Sequence, residues 1–184
     1  VDSAEARVIR AATVQTGDFL PWKEAMWGSF RDGRLLRRIA GRFPLFEEYR
    51  KEQGLQASEG LQLRSSTCDE AVDPMRELAG KLQVNFSRLR ECGRIFAFPQ
   101  NTFSQIPLDQ ANVRKGRGVL PLAVSEPPHI IVDASRRFAI YSDDFIAVPP
   151  RKIGISGGKD ATRLLKALTI FLSSGFCTYQ QYFT

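Results

Sequence analysis

The residues with chemical potential in this 184-residue chain are two adjacent carboxylates, one histidine, three cysteines and a set of cations beside glycines and prolines. The carboxylates are Asp143 and Asp144. Neighbours on a strand point to opposite faces, so the pair is not expected to share one acid–base site. Ser142-Asp143-Asp144 reads instead as a turn between two strands. His129 follows Pro127-Pro128 and opens the apolar run Ile130-Ile-Val. A lone histidine at a strand start is expected to be structural or a hydrogen-bond donor. Cys68, Cys92 and Cys177 are far apart and form no C-x-x-C arrangement. They read as reduced, partly buried thiols, and one histidine leaves no expected Cys/His zinc site. No nucleophile elbow, phosphate-binding Walker loop or dinucleotide glycine fingerprint is present. Arg114-Lys-Gly-Arg-Gly contains two glycines, but its cations suit anion contact in a loop better than a nucleotide fold.

The cations carry the clearer signal. Net charge is +6 and the pI about 9.5, which points to a polyanionic partner, most often nucleic acid. Between Gly93 and Lys159, nine basic residues face five acidic ones: Arg94, Arg114, Lys115, Arg117, Arg136, Arg137, Arg151, Lys152 and Lys159 against Asp109, Glu126, Asp133, Asp143 and Asp144. Arg114, Lys115, Arg117, Arg136, Arg137, Arg151 and Lys152 sit at expected turns. Together with Lys159 they are the candidate DNA-binding residues. From loops on a rigid sheet, such side chains reach phosphates or the guanine edge. The alternative for each is a solvated surface charge.

These loops need elements to hold them. Asp32 is expected to cap a helix through Arg34–Ala40, with Leu35, Leu36, Ile39 and Ala40 at helical spacing and arginines opposite. Gly41 and Pro44 end it, and a second short helix is expected from Leu45 to Glu52. Residues 54–72 read as loop, with a short strand possible at Leu61–Leu63. Asp73-Pro74 reads as a helix start. Val84–Leu89 fits either a strand or a helical turn.

From Gly93 short apolar runs alternate with Pro and Gly: Arg94–Phe98, Val119–Ala123, His129–Val132, Phe138–Ser142, Phe145–Val148 and Lys152–Ile155. They predict a small antiparallel sheet. Leu164, Leu165, Leu168, Phe171 and Leu172 then repeat at helical spacing, and the aromatics Phe171, Phe176, Tyr179 and Phe183, like Trp22 and Trp27, are expected to be core. The fold class expected is α+β: a small, mostly antiparallel sheet, helices in the N-terminal part and a long C-terminal helix. The boundaries expected are 1–72 for a helical support segment and 73–184 for a mixed α/β recognition domain. The longest apolar stretch, Leu164–Cys177, contains Lys166 and is shorter than the roughly 20 residues a membrane span needs. A soluble, cytoplasmic protein without a membrane partner is therefore expected. Val1 and Thr184 are expected to be boundaries within a longer chain.

Three segments together resemble one family. The first is Pro21-Trp-Lys-Glu-Ala-Met-Trp-Gly-Ser-Phe-Arg-Asp with Leu35-Leu and Phe43-Pro. The second is Pro128-His-Ile-Ile-Val with Phe138-Ala-Ile-Tyr-Ser-Asp-Asp-Phe. The third is Ile153-Gly-Ile-Ser-Gly with Leu164-Leu-Lys-Ala-Leu-Thr-Ile-Phe-Leu-Ser-Ser-Gly-Phe and Tyr179-Gln-Gln-Tyr-Phe-Thr. In content and order they resemble the C-terminal target-recognition region of bacterial adenine-N6 DNA methyltransferases of restriction-modification systems, similar to TaqI-type specificity domains.

The resemblance implies a module that reads double-stranded DNA, with methylation done by a catalytic domain on other sequence. The family's catalytic domain binds S-adenosylmethionine through a glycine-rich loop and holds the flipped adenine with an Asn/Asp-Pro-Pro-aromatic motif. Neither is present: Glu126 precedes Pro127-Pro128, and Val148 precedes Pro149-Pro150. No catalytic residue, cofactor or metal is therefore expected in this chain, which reads as a non-catalytic part of a methyltransferase. The competing reading is a protein-interaction or scaffold domain that packs on a partner or on the catalytic domain.

Overall fold

The computed structural model describes residues 8–17, 20–27, 29–65, 72–89, 95–114, 119–133 and 138–181. Chain contacts divide it into two units: Val1–Tyr49 with Gly175–Thr184, and Arg50–Ser174. The expected boundary at 72 is thus replaced by one at Arg50, and the last ten residues group with the N-terminal unit. The reason is a strand pairing described below, which ties residues 56–59 to the end of the chain's sheet region.

The first unit is helical. It contains α1 (Ala11–Gln15), α2 (Leu20–Trp27), α3 (Phe30–Ala40), the start of α4 (Phe46–Glu52) and, after the second unit, α7 (Gly175–Gln181). α3 begins three residues before its expected start. Ser29, not Asp32, is its N-cap; Asp32 occupies the third helical position and completes a capping box with Ser29. Both side chains satisfy N–H groups that the first turn would otherwise leave unpaired. Trp22 is 42% exposed, so it is not the core residue expected; the Trp27 side chain lies outside the described residues. Cys177 is buried in α7, while Cys68 and Cys92 lie outside the described residues.

The second unit is built on β7 (His129–Asp133). All five of its residues are buried, so its two faces must both be covered. It pairs antiparallel with β8 (Ala139–Ser142) on one side and β10 (Lys152–Ser156) on the other, and β10 pairs antiparallel with β1 (Gln56–Glu59). Alternation splits the side chains. Ile130 and Val132 pack with Leu165 and Leu168 of α6 (Thr162–Leu172). Ile131 faces the other way, into Phe98, Phe138, Ile140 and Val148. Four phenylalanines interlock there, with Phe98 edge-on to Phe86, Phe103 and Phe138 at centroid distances of 5.9, 6.1 and 5.4 Å.

Two three-stranded sheets complete the unit. One orders β2 (Leu63–Arg64), β6 (Asn112–Arg114) and β3 (Val72–Pro74), all antiparallel. The other orders β5 (Phe103–Gln105), β4 (Leu82–Val84) and β9 (Ile146–Ala147), with β4 and β9 parallel. Leu61, Leu78, Ile106 and Val113 are buried together between them.

The mixed α+β class is as expected, but several elements differ. Residues 56–59 form a strand where loop was expected: Gln-Ala-Ser-Glu has no apolar signal, and its pairing depends on β10, far along the chain. Val119–Ala123 is a helix, α5, rather than a strand. Pro121 cannot donate to a sheet ladder but is tolerated in a first helical turn. Asp73-Pro74 ends the edge strand β3 instead of opening a helix, and edge strands are where proline is tolerated. Residues 95–98 form no strand. Val84–Leu89 divides into both options, β4 and a 3-10 turn. The C-terminal helical stretch breaks after Leu172 and resumes at Gly175.

His129 shows how β7 is seated. Its Nδ1–H donates to the Val124 carbonyl at 2.9 Å, which makes Nε2 the bare nitrogen, fully buried and with no hydrogen-bond partner among the described residues. Burial pushes the imidazole below the ordinary histidine range. The Val124 and Asp144 carbonyls oppose that shift, the latter by proximity without a bond. The unfolded chain therefore binds a proton that the folded chain rejects. Stability is complete above the unfolded pKa of about 6.5 and declines as pH falls through it. Urea unfolding followed from about pH 8 to about pH 5 is expected to show this decline, and His129→Gln is expected to flatten it. An unchanged slope in the variant would mean that other groups carry the dependence.

Candidate nucleic-acid interface

The turn between β9 and β10 is held on three sides. Pro149-Pro150 bring the chain round, and the Pro149 carbonyl accepts from Lys152 N–H at 3.3 Å. Arg151 N–H donates to Glu59 Oε1 at 2.5 Å. Arg151 itself has φ of 62°, the only positive value at a non-glycine among the described residues. That left-handed conformation crowds Cβ and costs about 1–2 kcal/mol relative to ordinary backbone. Its side chain is exposed. Strain of this kind persists only where the surrounding structure enforces it, and it concentrates at functional positions.

Lys152 behaves differently from its neighbour. It stands opposite Asp133 in the β7–β10 register, and its Nζ lies 2.6 Å from Asp133 Oδ1. The lysine side chain is 15% exposed and the aspartate 1%. The ammonium also lies 5.4 Å from the centre of the Phe86 ring. Lys152 is therefore a structural clamp on the end of β7, not an outward contact. Asp133 had counted in the sequence only as one charge among five. No local signal marks it as the partner, because the pairing is set by strand register.

Arg114 ends β6 and is exposed. β6 pairs with β2, and β2 is linked to β1 by only Gly60, Leu61 and Gln62. Gly60 N–H donates to the Lys152 carbonyl at 3.1 Å and Leu61 N–H to that of Val148 at 2.6 Å. This short link ties the Arg114 end of one sheet to the Arg151 end of another. A groove of about 250 Å³ runs along it, walled by Leu61, Gln62, Arg64, Gln83, Val148 and Pro150.

Lys159 is exposed but lies past the other end of β10, whose five residues span about 16 Å. The described candidates thus do not form one patch. Arg114 and Arg151 are joined through the Gly60–Gln62 link, Lys152 is used internally, and Lys159 stands apart. Lys115, Arg117, Arg136 and Arg137 lie outside the described residues. The flanks of the last two are described: Asp133 N–H donates to the Phe138 carbonyl at 3.0 Å, at the same sheet end as Arg151.

Other candidate chemistry resolves into structure. Asp144 N–H bonds Ser142 Oγ at 3.0 Å, and Tyr141 OH donates to Asp143, so Ser142-Asp143-Asp144 is a turn. Two further clefts, of about 270 and 370 Å³, bring one carboxylate each to their walls, Glu126 and Asp144. Among the described residues no three His, Cys, Asp or Glu side chains converge on a metal position, and no helix is long and apolar enough to cross a membrane.

Comparison with protein-family models, curated proteins and solved structures returned no match for this chain.

Proposed function

We propose that this chain is a recognition module for double-stranded DNA, serving an adenine-N6 methyltransferase whose catalytic domain and S-adenosylmethionine site are carried by other sequence. The observation that carries the reading is Arg151. A cation held in a strained conformation on a braced turn, with its guanidinium exposed, is poorly explained by folding and well explained by contact with an anion. Arg114, tied to it through the Gly60–Gln62 link, supplies a second cation from a strand end. The excess of basic over acidic residues and the three family-like segments support the same conclusion. In this role the chain acts in the cytoplasm, where bacterial DNA is, and its partners are duplex DNA and the catalytic domain.

The test is selection of preferred duplexes from a random pool by the full chain, repeated with Arg151→Gly. Glycine adopts φ near +60° without strain, so the variant is expected to melt at the same or a higher temperature. Its duplex affinity is expected to fall by roughly fivefold to a hundredfold if a base contact of about 1–3 kcal/mol is lost. Selection that enriches no motif, with the chain verified as folded, would refute the recognition role.

One observation favours a second reading. Phe43 and Leu45, between α3 and α4, and Phe46, the first residue of α4, are 65%, 68% and 42% exposed. Closely spaced exposed apolar side chains suit a protein interface. A scaffold role predicts concentration-dependent association in size-exclusion experiments, without dependence on DNA.

A further inference from the structure

α3 carries arginines at 31, 34, 37 and 38, and Arg42 follows just past its C-cap Gly41. Arg37 is committed elsewhere: its Nη2 lies 2.8 Å from Glu24 Oε2. Gly33 makes room for that carboxylate, since a Cβ there would fall 2.3 Å from it. The remaining four arginines are spaced by three, four and four residues. On a helix of 3.6 residues per turn that spacing forms a single stripe, about 16 Å long. All four are exposed, while Leu36 and Gly33 on the opposite side are buried.

Asp32, the one acid in α3, accepts from Ser29 N–H at 2.6 Å, from Ser29 Oγ at 2.7 Å and from the Tyr179 hydroxyl. The Ser29 hydroxyl, then that of Tyr179, holds its carboxyl below the ordinary range, and the Tyr179 phenol is pushed up to about 12. Glu24 is taken by Arg37. Among the described residues no ion pair joins an acid to Arg31, Arg38 or Arg42.

We propose that this arginine stripe of α3 grips the phosphate backbone of duplex DNA without regard to base sequence, as a contact separate from Arg114 and Arg151. The choice of DNA as the polyanion rests on the recognition role proposed above; the existence of the contact does not. Every cation in α3 is arginine, whose planar fork matches phosphate oxygens in pairs. A membrane surface is the weaker fit. A helix lying in lipid must offer its apolar face, and here that face is already buried in protein. Leu35, 44% exposed, is the large apolar side chain of α3 that flanks the stripe.

The experiment uses the full chain and a fluorescent duplex, titrated across salt concentrations. Replacing Arg31, Arg38 and Arg42 together by Gln is expected to weaken binding roughly tenfold or more at low salt and to reduce the log–log salt slope by about 2–3, near 0.9 per phosphate lost. The loss is expected to be uniform across duplex sequences, with any selected motif unchanged. Lysines at the same positions are expected to retain most of the slope.

Shielding of these arginines from phenylglyoxal by duplex DNA tests the contact on the unaltered protein. An unchanged slope, or no shielding, while the chain still binds duplexes overturns the stripe and leaves the recognition role standing. A stripe-dependent slope without any selected motif does the reverse. Absence of duplex binding overturns both. Binding to vesicles of equal parts phosphatidylserine and phosphatidylcholine that the Gln variant abolishes, with duplex binding intact, also overturns it in favour of a membrane.

Discussion

Replacing Lys152 with methionine is expected to cost about 3–5 kcal/mol of folding stability, because it removes the ammonium that sits against a buried carboxylate. Asp133 is 1% exposed and 2.6 Å from Lys152 Nζ. Methionine preserves most of the side-chain volume, so the loss isolates charge from packing. Removing both charges, with Lys152→Met and Asp133→Val together, is expected to cost markedly less than the single change. A buried pair replaced by apolar residues is often neutral, whereas half a pair is not. Urea unfolding of both variants measures this. The loss should also persist at high salt, since buried pairs are weakly screened. A cost below about 1 kcal/mol for the single variant would return Lys152 to the surface cations available for DNA.

Gly60→Ala is expected to be the most disruptive single-methyl change, costing at least about 2–3 kcal/mol. The added carbon would lie 2.1 Å from the Val148 carbonyl oxygen and 2.5 Å from that of Pro149. These are backbone atoms and cannot swing aside as a side-chain tip does. Relief requires moving the Gly60–Gln62 link, which also seats the fully buried Leu61. The same movement would separate the strand ends that carry Arg114 and Arg151. Duplex affinity is therefore expected to fall even at temperatures where the variant remains folded. Gly158→Ala is the control: an added carbon there meets nothing within 4 Å, and its melting temperature should match the unaltered chain.

Some of this was legible from residue types alone. The run His129–Val132 reads as a strand because Ile130, Ile131 and Val132 follow one another between turn residues. Leu165 and Leu168 read as core from helical spacing, and both are buried, but Phe171 and Phe176 of the same stripe, also expected to be core, are 44% and 39% exposed. Ser142-Asp143-Asp144 reads as a turn because a short hydroxyl side chain can bond backbone two residues on, and it does. The strand Gln56–Glu59 was not legible. It is polar, lies at a sheet edge, and is a strand only because β10 offers it hydrogen bonds. Val119–Ala123 misled for a related reason: apolar runs of five residues fit either a strand or a helix, and Pro121 decides between them.

The candidate interface divides along the same line. Composition and local pattern determined that this chain is basic, that its cations gather near glycines and prolines, and that α3 has an arginine side and an apolar side. Those are properties of neighbours along the chain, and each residue type carries them wherever the fold takes it. Only the tertiary structure decided which cations face outward. Lys152 and Arg151 are adjacent and indistinguishable by type. One is opposite Asp133 in a strand register and is consumed by it; the other is turned out on a left-handed backbone. That difference comes from pairings between residues far apart in sequence, where the 2.6 Å contact with the buried Asp133 carboxylate outweighs any preference Lys152 has for water.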